Sequence, residues 1–138
     1  MFARNLNAAQ AYSNVGIVSN AMSANPHGLV LMLFEGATIA VTTARMHMQS
    51  SRTVDKAKAI SKAVAIIQDG LMASLDRDNG GDVAENLYRL YEYMVERLVQ
   101  ANIENRADCL EEVGRLLAEL DSAWQSIGVT AQKVGADG

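Results

Sequence analysis

Cysteine occurs once in this chain, at Cys109, so no disulfide can close within it, and a lone thiol fits a reducing compartment. With no histidine near it in sequence, Cys109 reads as a helix residue of no special reactivity. Proline also occurs once, and β-branched or aromatic clusters are few, which favours helices over sheet. The formal net charge is -4 and no long basic run is present, which argues against nucleic-acid binding. No stretch approaches the roughly 18 consecutive apolar residues of a membrane span. No stable membrane insertion is therefore expected. The N-terminus lacks the charged region and apolar core of a signal peptide, and the expected location is the cytosol.

The equipment of an enzyme is missing as well. A di-iron bundle needs Glu-x-x-His on two helices, and no glutamate here has a histidine three residues later. The two histidines, His27 and His47, fall at opposite ends of one predicted helix and cannot share a metal within a chain. His27 reads as a first-turn surface residue, and His47 as half-exposed near a helix end. A phosphotransfer role for His47 is disfavoured, because Met48-Gln49-Ser50-Ser51 offers no lysine or glycine to support a phosphate. Asp76-x-Asp78-x-x-Gly81 has a faint likeness to a calcium loop, but Leu87 stands where the bidentate glutamate belongs, so it reads as a turn. No glycine-rich phosphate motif occurs. Glu111-Glu112 reads as a solvated helix face. The expectation is no enzyme, no metal and no cofactor.

What is present begins with size: 138 residues with 49% hydrophobic content suffice for one domain with its own core. The stretch from Asn25 to Met48 organises it. Asn25 suits a helix cap and Pro26 the first helical position, where a missing N–H costs nothing. Six apolar residues then follow without a break, Leu29-Val30-Leu31-Met32-Leu33-Phe34. On a helix, six in a row cover every side, since each residue turns about 100°. A bundle helix needs only one stripe for its core, so the surplus must meet another segment or a partner.

The spacing predicts four helices. The first runs from about Pro26 to Ser50, with Leu29, Leu33, Gly36, Ala37, Ala40 and Ala44 on one face. The second, from about Val54 to Leu75 with Thr53 as cap, carries Ala57, Ile60, Val64, Ile67, Leu71 and Leu75, flanked by Ala63, Ile66 and Met72. Asp76 to Gly81 is a stop with Asn-Gly and Gly-Gly turn chemistry. Asp82 and Glu85 have the spacing of a capping box for the third helix, about Val83 to Asn102. Its face is Val83, Leu87, Leu90, Met94, Leu98 and Ala101, with Tyr88, Tyr91 and Val95 about one residue around. Asn105 or Asp108 caps the fourth helix, whose stripe is Leu110, Val113, Leu117, Leu120, Trp124 and Ile127, ending at Gly128. Short connections predict an all-α, antiparallel up-down four-helix bundle over 25–128. Residues 129–138 are expected as a disordered tail. Residues 1–24 form an N-terminal arm, either a frayed tail or a short helix covering the bundle.

The 7 methionines either fill the core or offer flexible thioethers to an irregular apolar partner. Together with the six-residue run and the tyrosines of the third helix, they favour helix-in-groove recognition.

These residues match a family over nearly the full chain. The matching pieces include Ala11-Tyr12 with Val15 and Gly16, Met32-Leu33-Phe34-Glu35-Gly36, Ala44-Arg45, Ile66-Ile67 to Gly70-Leu71, and Ser74-Leu75-Asp76. Further along come Asn86-Leu87-Tyr88, Leu90-Tyr91, Tyr93-Met94, Ala101-Asn102, Glu111-Glu112-Val113 and Ala123-Trp124. No piece is diagnostic alone; in order and spacing they are specific, and the chain resembles the flagellin-specific export chaperones, the FliS family. It departs at Ala24-Asn25-Pro26, where many members have Ala-Ser-Pro, and at Phe34, where many have Tyr. The resemblance implies a cytosolic bundle that binds the disordered C-terminal segment of flagellin and prevents premature polymerisation. It further implies handing that cargo to the flagellar export gate, without catalysis or cofactor. Leu29, Leu33, Tyr88, Tyr91, Met94, Val95 and Leu98 are expected near the cargo grooves, with Tyr12 and Val15 on an arm that covers one of them. The alternative is a helical assembly protein or adaptor that self-associates, as a homodimer for instance, through the same surface.

Overall fold

The computed structural model describes the backbone of residues 25–137 and the side chains of residues 25–127. The N-terminal arm, with Tyr12 and Val15, lies outside the described residues. Four helices follow in order: α1 (Pro26–Gln49), α2 (Thr53–Ala65) continued by a π-helical segment (Ile66–Met72), α3 (Gly81–Glu104) and α4 (Ala107–Asp137). Each helix packs on its chain neighbours and α4 closes back onto α1, while the diagonal pairs α1/α3 and α2/α4 do not pack. That is the expected up-down bundle.

α1 begins as its sequence dictates. The Asn25 side-chain oxygen accepts from the Gly28 N–H at 2.8 Å, and Pro26 occupies the first turn. Leu33, Phe34, Gly36, Ala37, Ala40, Val41 and Ala44 face the core. By length and composition α1 could cross a membrane, because it is rich in apolar residues and carries only Glu35 and Arg45 as charged acidic or basic side chains. Here its apolar side instead packs against α2 and α4.

Other helix ends differ from the sequence expectation. Thr53 is the first residue of α2, preceded by Arg52, and provides no cap. The Asp82–Glu85 capping box does not form: α3 starts at Gly81, and Glu85 accepts instead from Arg77 at 2.8 Å. Gly81 sits at φ +63, the left-handed conformation that glycine alone adopts without strain. Asn105 closes α3 in the same left-handed region rather than opening α4. The α4 backbone continues through Gly128 to Asp137, since a helical glycine costs only about 1 kcal/mol and is no obligatory stop.

The phase of α3 also shifts. Val83 is 70% exposed, and the buried line is Ala84, Tyr91, Met94, Leu98 and Ala101, with Leu87 half-buried between them. In α2 the regular 3/4 alternation breaks at the π-helical segment, which buries Ile66, Ile67, Gly70 and Leu71 together. Gly70 has a packing reason to be glycine: a Cβ there would lie 2.7 Å from Leu33 Cδ2. The Gly70 carbonyl accepts from both the Ser74 hydroxyl, at 2.7 Å, and the Ser74 N–H, at 3.1 Å, where the widened segment ends.

Lys56 is the one charged side chain in the described core, 4% exposed. Its ammonium donates to the Asn102 carbonyl at 3.2 Å and to Asn105 Oδ1 at 3.0 Å. A cation therefore sits at the C-terminal end of α3, where orphan carbonyls and the helix dipole favour it.

Candidate partner-binding grooves

Seven core-facing residues leave the opposite side of α1 to solvent. Ile39 lies two residues beyond buried Ala37, about 200° around the helix, and is 54% exposed. Grooves run on both sides of it. Between α1 and α2 lies an open groove of about 270 Å³ over Gly36, Ala40 and Ala59, with Lys58 and Lys62 at its edge. Between α1 and α4 lies a second of about 490 Å³, lined by Leu31, Met32 and Ile39 with Glu35 and Asp121. The surplus of the six-residue apolar run is thus accounted for: Leu33 and Phe34 enter the core, while Leu31 and Met32 line an open groove. A third groove, about 330 Å³, runs between α2 and α3 beside Ile60, Val64 and Val99.

The predicted cargo residues divide into two sets. Leu33, Tyr91, Met94 and Leu98 are buried in the core. Burial pushes the Tyr91 phenol up from its ordinary value, as expected when the phenolate loses water. Leu29 and Val95 are half-buried and pack on the edge of that core. Tyr88 is half-buried under the Arg77 guanidinium, which stands 3.8 Å from its ring centroid. Among the methionines, Met94 is core, Met32, Met48 and Met72 are half-buried against it, and Met46 is exposed. Sequence reading missed Ile39, although its position opposite the core stripe was available from helical spacing. It also missed Lys56, since one lysine in a helix carries no pattern.

Polar contacts fasten α4 in the ring rather than build a reaction centre. Glu111 and Glu112, read as a solvated face, have separate partners. Glu111 reaches α1 through Arg45 at 3.2 Å. Glu112 accepts from the Tyr93 hydroxyl and from Arg97 Nε, each at 2.6 Å, bridging to α3. Those two hydrogen bonds, Tyr93 first and then Arg97, hold the Glu112 carboxyl below the ordinary glutamate range. At the other end of α4, Trp124 stacks on His27 with centroids 5.1 Å apart, and its indole N–H donates to the His27 carbonyl at 3.2 Å. His27 is therefore a contact between α1 and α4, not a free surface residue. His47 lies half-buried beside the α1–α2 groove. Asp76 accepts from the Asn79 backbone and side-chain amides at 3.1 and 3.2 Å, which makes its segment an Asx-type turn. Among the described residues, no three His, Cys, Asp or Glu side chains form a group able to hold a metal ion.

An α-helical ring with open apolar grooves is suited to binding a helical segment. Comparisons with known proteins give the family. Residues 8–131 match the family described as Flagellar protein FliS. The chain is 46% identical over 122 residues to the flagellar secretion chaperone FliS of Salmonella typhimurium, covering 88% of this chain and 90% of that relative. It is 41% identical over 116 residues to the FliS chaperone of Escherichia coli, with 84% and 85% covered. Against the chaperone FliSB of Pseudomonas aeruginosa it is 41% identical over 122 residues, with 88% and 96% covered. With a family match over most of its length and relatives at this identity, the chain belongs to the FliS family of flagellar secretion chaperones.

Proposed function

We propose that this protein binds the disordered C-terminal segment of flagellin in the cytosol, prevents its premature polymerisation and delivers it to the flagellar export gate. The observation that carries the reading is the outer face of α1, where exposed Ile39 divides two open grooves opposite the packed core. An amphipathic segment laid there covers apolar side chains that the bundle leaves in water. Leu29 lies at the core edge of the same helix, whereas Val95 and Tyr88 lie on α3, across the ring from that face. Leu33, Tyr91, Met94 and Leu98 support it from behind. The cargo meets an ordering cost as it becomes helical, offset by the large surface it covers. Its own filament-packing faces are then occupied, and no chemical step is required. An arm carrying Tyr12 and Val15 covers a groove when cargo is absent; unchanged cargo affinity and dye binding after deletion of 1–18 would remove that part of the reading.

The test is calorimetric titration of the full chain with the C-terminal segment of the same organism's flagellin, followed by size-exclusion chromatography. Tight binding with a strongly negative heat-capacity change and a defined complex is expected. No binding, with a stable homodimer of the chain alone, overturns the proposal in favour of self-association through the same face.

A further inference from the structure

The two grooves beside Ile39 differ in charge. Glu35 and Asp121 stand at the α1–α4 groove. The α1–α2 groove instead presents Lys58 and Lys62, one turn apart on exposed positions of α2, with Asp55 nearer the helix start. Among the described residues neither lysine has an ion pair or side-chain hydrogen bond, as is true of Arg52, Arg89 and Arg115, whereas Arg45, Arg77, Arg97 and Arg106 are each paired with a carboxylate; Lys58 and Lys62 are set apart by lying together on one apolar groove. In a chain of net charge -4, two neighbouring unpaired cations at the edge of an apolar groove are a local reversal of sign.

We propose that the α1–α2 groove seats an amphipathic helix whose apolar ridge lies beside Ile39 and whose acidic side chains face Lys58 and Lys62. This deepens the cargo-binding reading and rests on it: the occupant is an acidic helical stretch of the flagellin segment. The order Asp55, Lys58, Lys62, at steps of three and four residues, also sets its direction. A helix with one basic and two acidic positions at matching spacing pairs fully in one orientation and meets like charges in the other. The acidic α1–α4 groove disfavours the same stretch, so the charges place a wrapping partner in register.

The probes are two synthetic amphipathic helices with one leucine ridge, flanked by glutamates at i and i+4 or by lysines at the same places. They are titrated into the full chain at low and at high salt. The glutamate helix is expected to bind about tenfold tighter at low salt, with the gap narrowing as salt rises. The double variant Lys58→Glu/Lys62→Glu should reverse the preference. Arg89→Glu/Arg115→Glu makes the same change in net charge at exposed positions of α3 and α4, and should leave the preference in place. Equal affinity for the two helices, no binding of either, or reversal by both double variants overturns the inference. The flagellin segment separates the two readings. If it binds wild type and the Lys58→Glu/Lys62→Glu variant equally, the charge inference fails while cargo binding stands. If it fails to bind wild type while the glutamate preference holds, the groove keeps its specificity and the cargo reading falls.

Discussion

Replacing Ile39 by alanine separates a partner-binding surface from the core more directly than any other single change. Ile39 is 54% exposed in the bundle, so roughly half of its side chain waits to be covered. Complete burial of an isoleucine contributes about 1.5–3 kcal/mol, and covering the remaining half contributes about 0.8–1.5 kcal/mol. Losing that contact should weaken cargo binding about four- to twelvefold. Stability should change little, because the partial burial lost is offset in part by the better helix propensity of alanine. Leu33→Ala is the contrast. Leu33 is 1% exposed, and its truncation leaves a core cavity costing about 2–5 kcal/mol. Calorimetry with the flagellin segment and urea unfolding of both variants provide the measurements. An Ile39→Ala variant that melts normally and binds cargo within twofold of wild type would refute the assignment of this face.

Four further outcomes follow from the packing. Lys56→Met keeps the buried methylenes but strands the Asn102 carbonyl and Asn105 side chain, and should cost about 2–3 kcal/mol in urea unfolding; a loss under about 0.5 kcal/mol would show that the ammonium adds nothing net. Gly70→Ala pushes a methyl into Leu33 Cδ2 within a packed core and should cost about 1–3 kcal/mol; a neutral result would mean that Leu33 swings aside freely. Tyr91→Ala should lower the circular-dichroism melt sharply, by about 3–5 kcal/mol, whereas an unchanged melt with lost binding would return Tyr91 to the cargo surface. Glu112 has a depressed folded pKa, so its charge stabilises the native state above the unfolded glutamate value and ceases to do so as pH falls through the folded one. Glu112→Gln should therefore be less stable than wild type near neutral pH, with the gap closing on acidification; a gap constant with pH contradicts the assignment.

The sequence by itself determined the helices, most of their core faces and the start of α1, because these depend on local spacing and caps. Asn25-Pro26 has one good use, and the lines Leu33–Ala37–Ala44 and Leu110–Val113–Leu117 can be buried on one side only. The family was legible too, since its motifs are short and ordered along the chain. The tertiary structure alone decided which stripe residues end in the core and which in a groove. Periodicity identifies a face, but a face spans several residues, and the neighbouring helix settles its centre. That is why Val83 yields its place to Ala84 and why Tyr91, read as flanking, is fully enclosed. The α2 end widens into a π-helix where Gly70 lies close against Leu33, a contact between helices that no local pattern encodes. Lys56 likewise has meaning only once the C-terminus of α3 lies against it. The grooves come last in the same order: they exist between helices, and only the closing of the ring placed Lys58 and Lys62 on one side of Ile39 and Glu35 and Asp121 on the other.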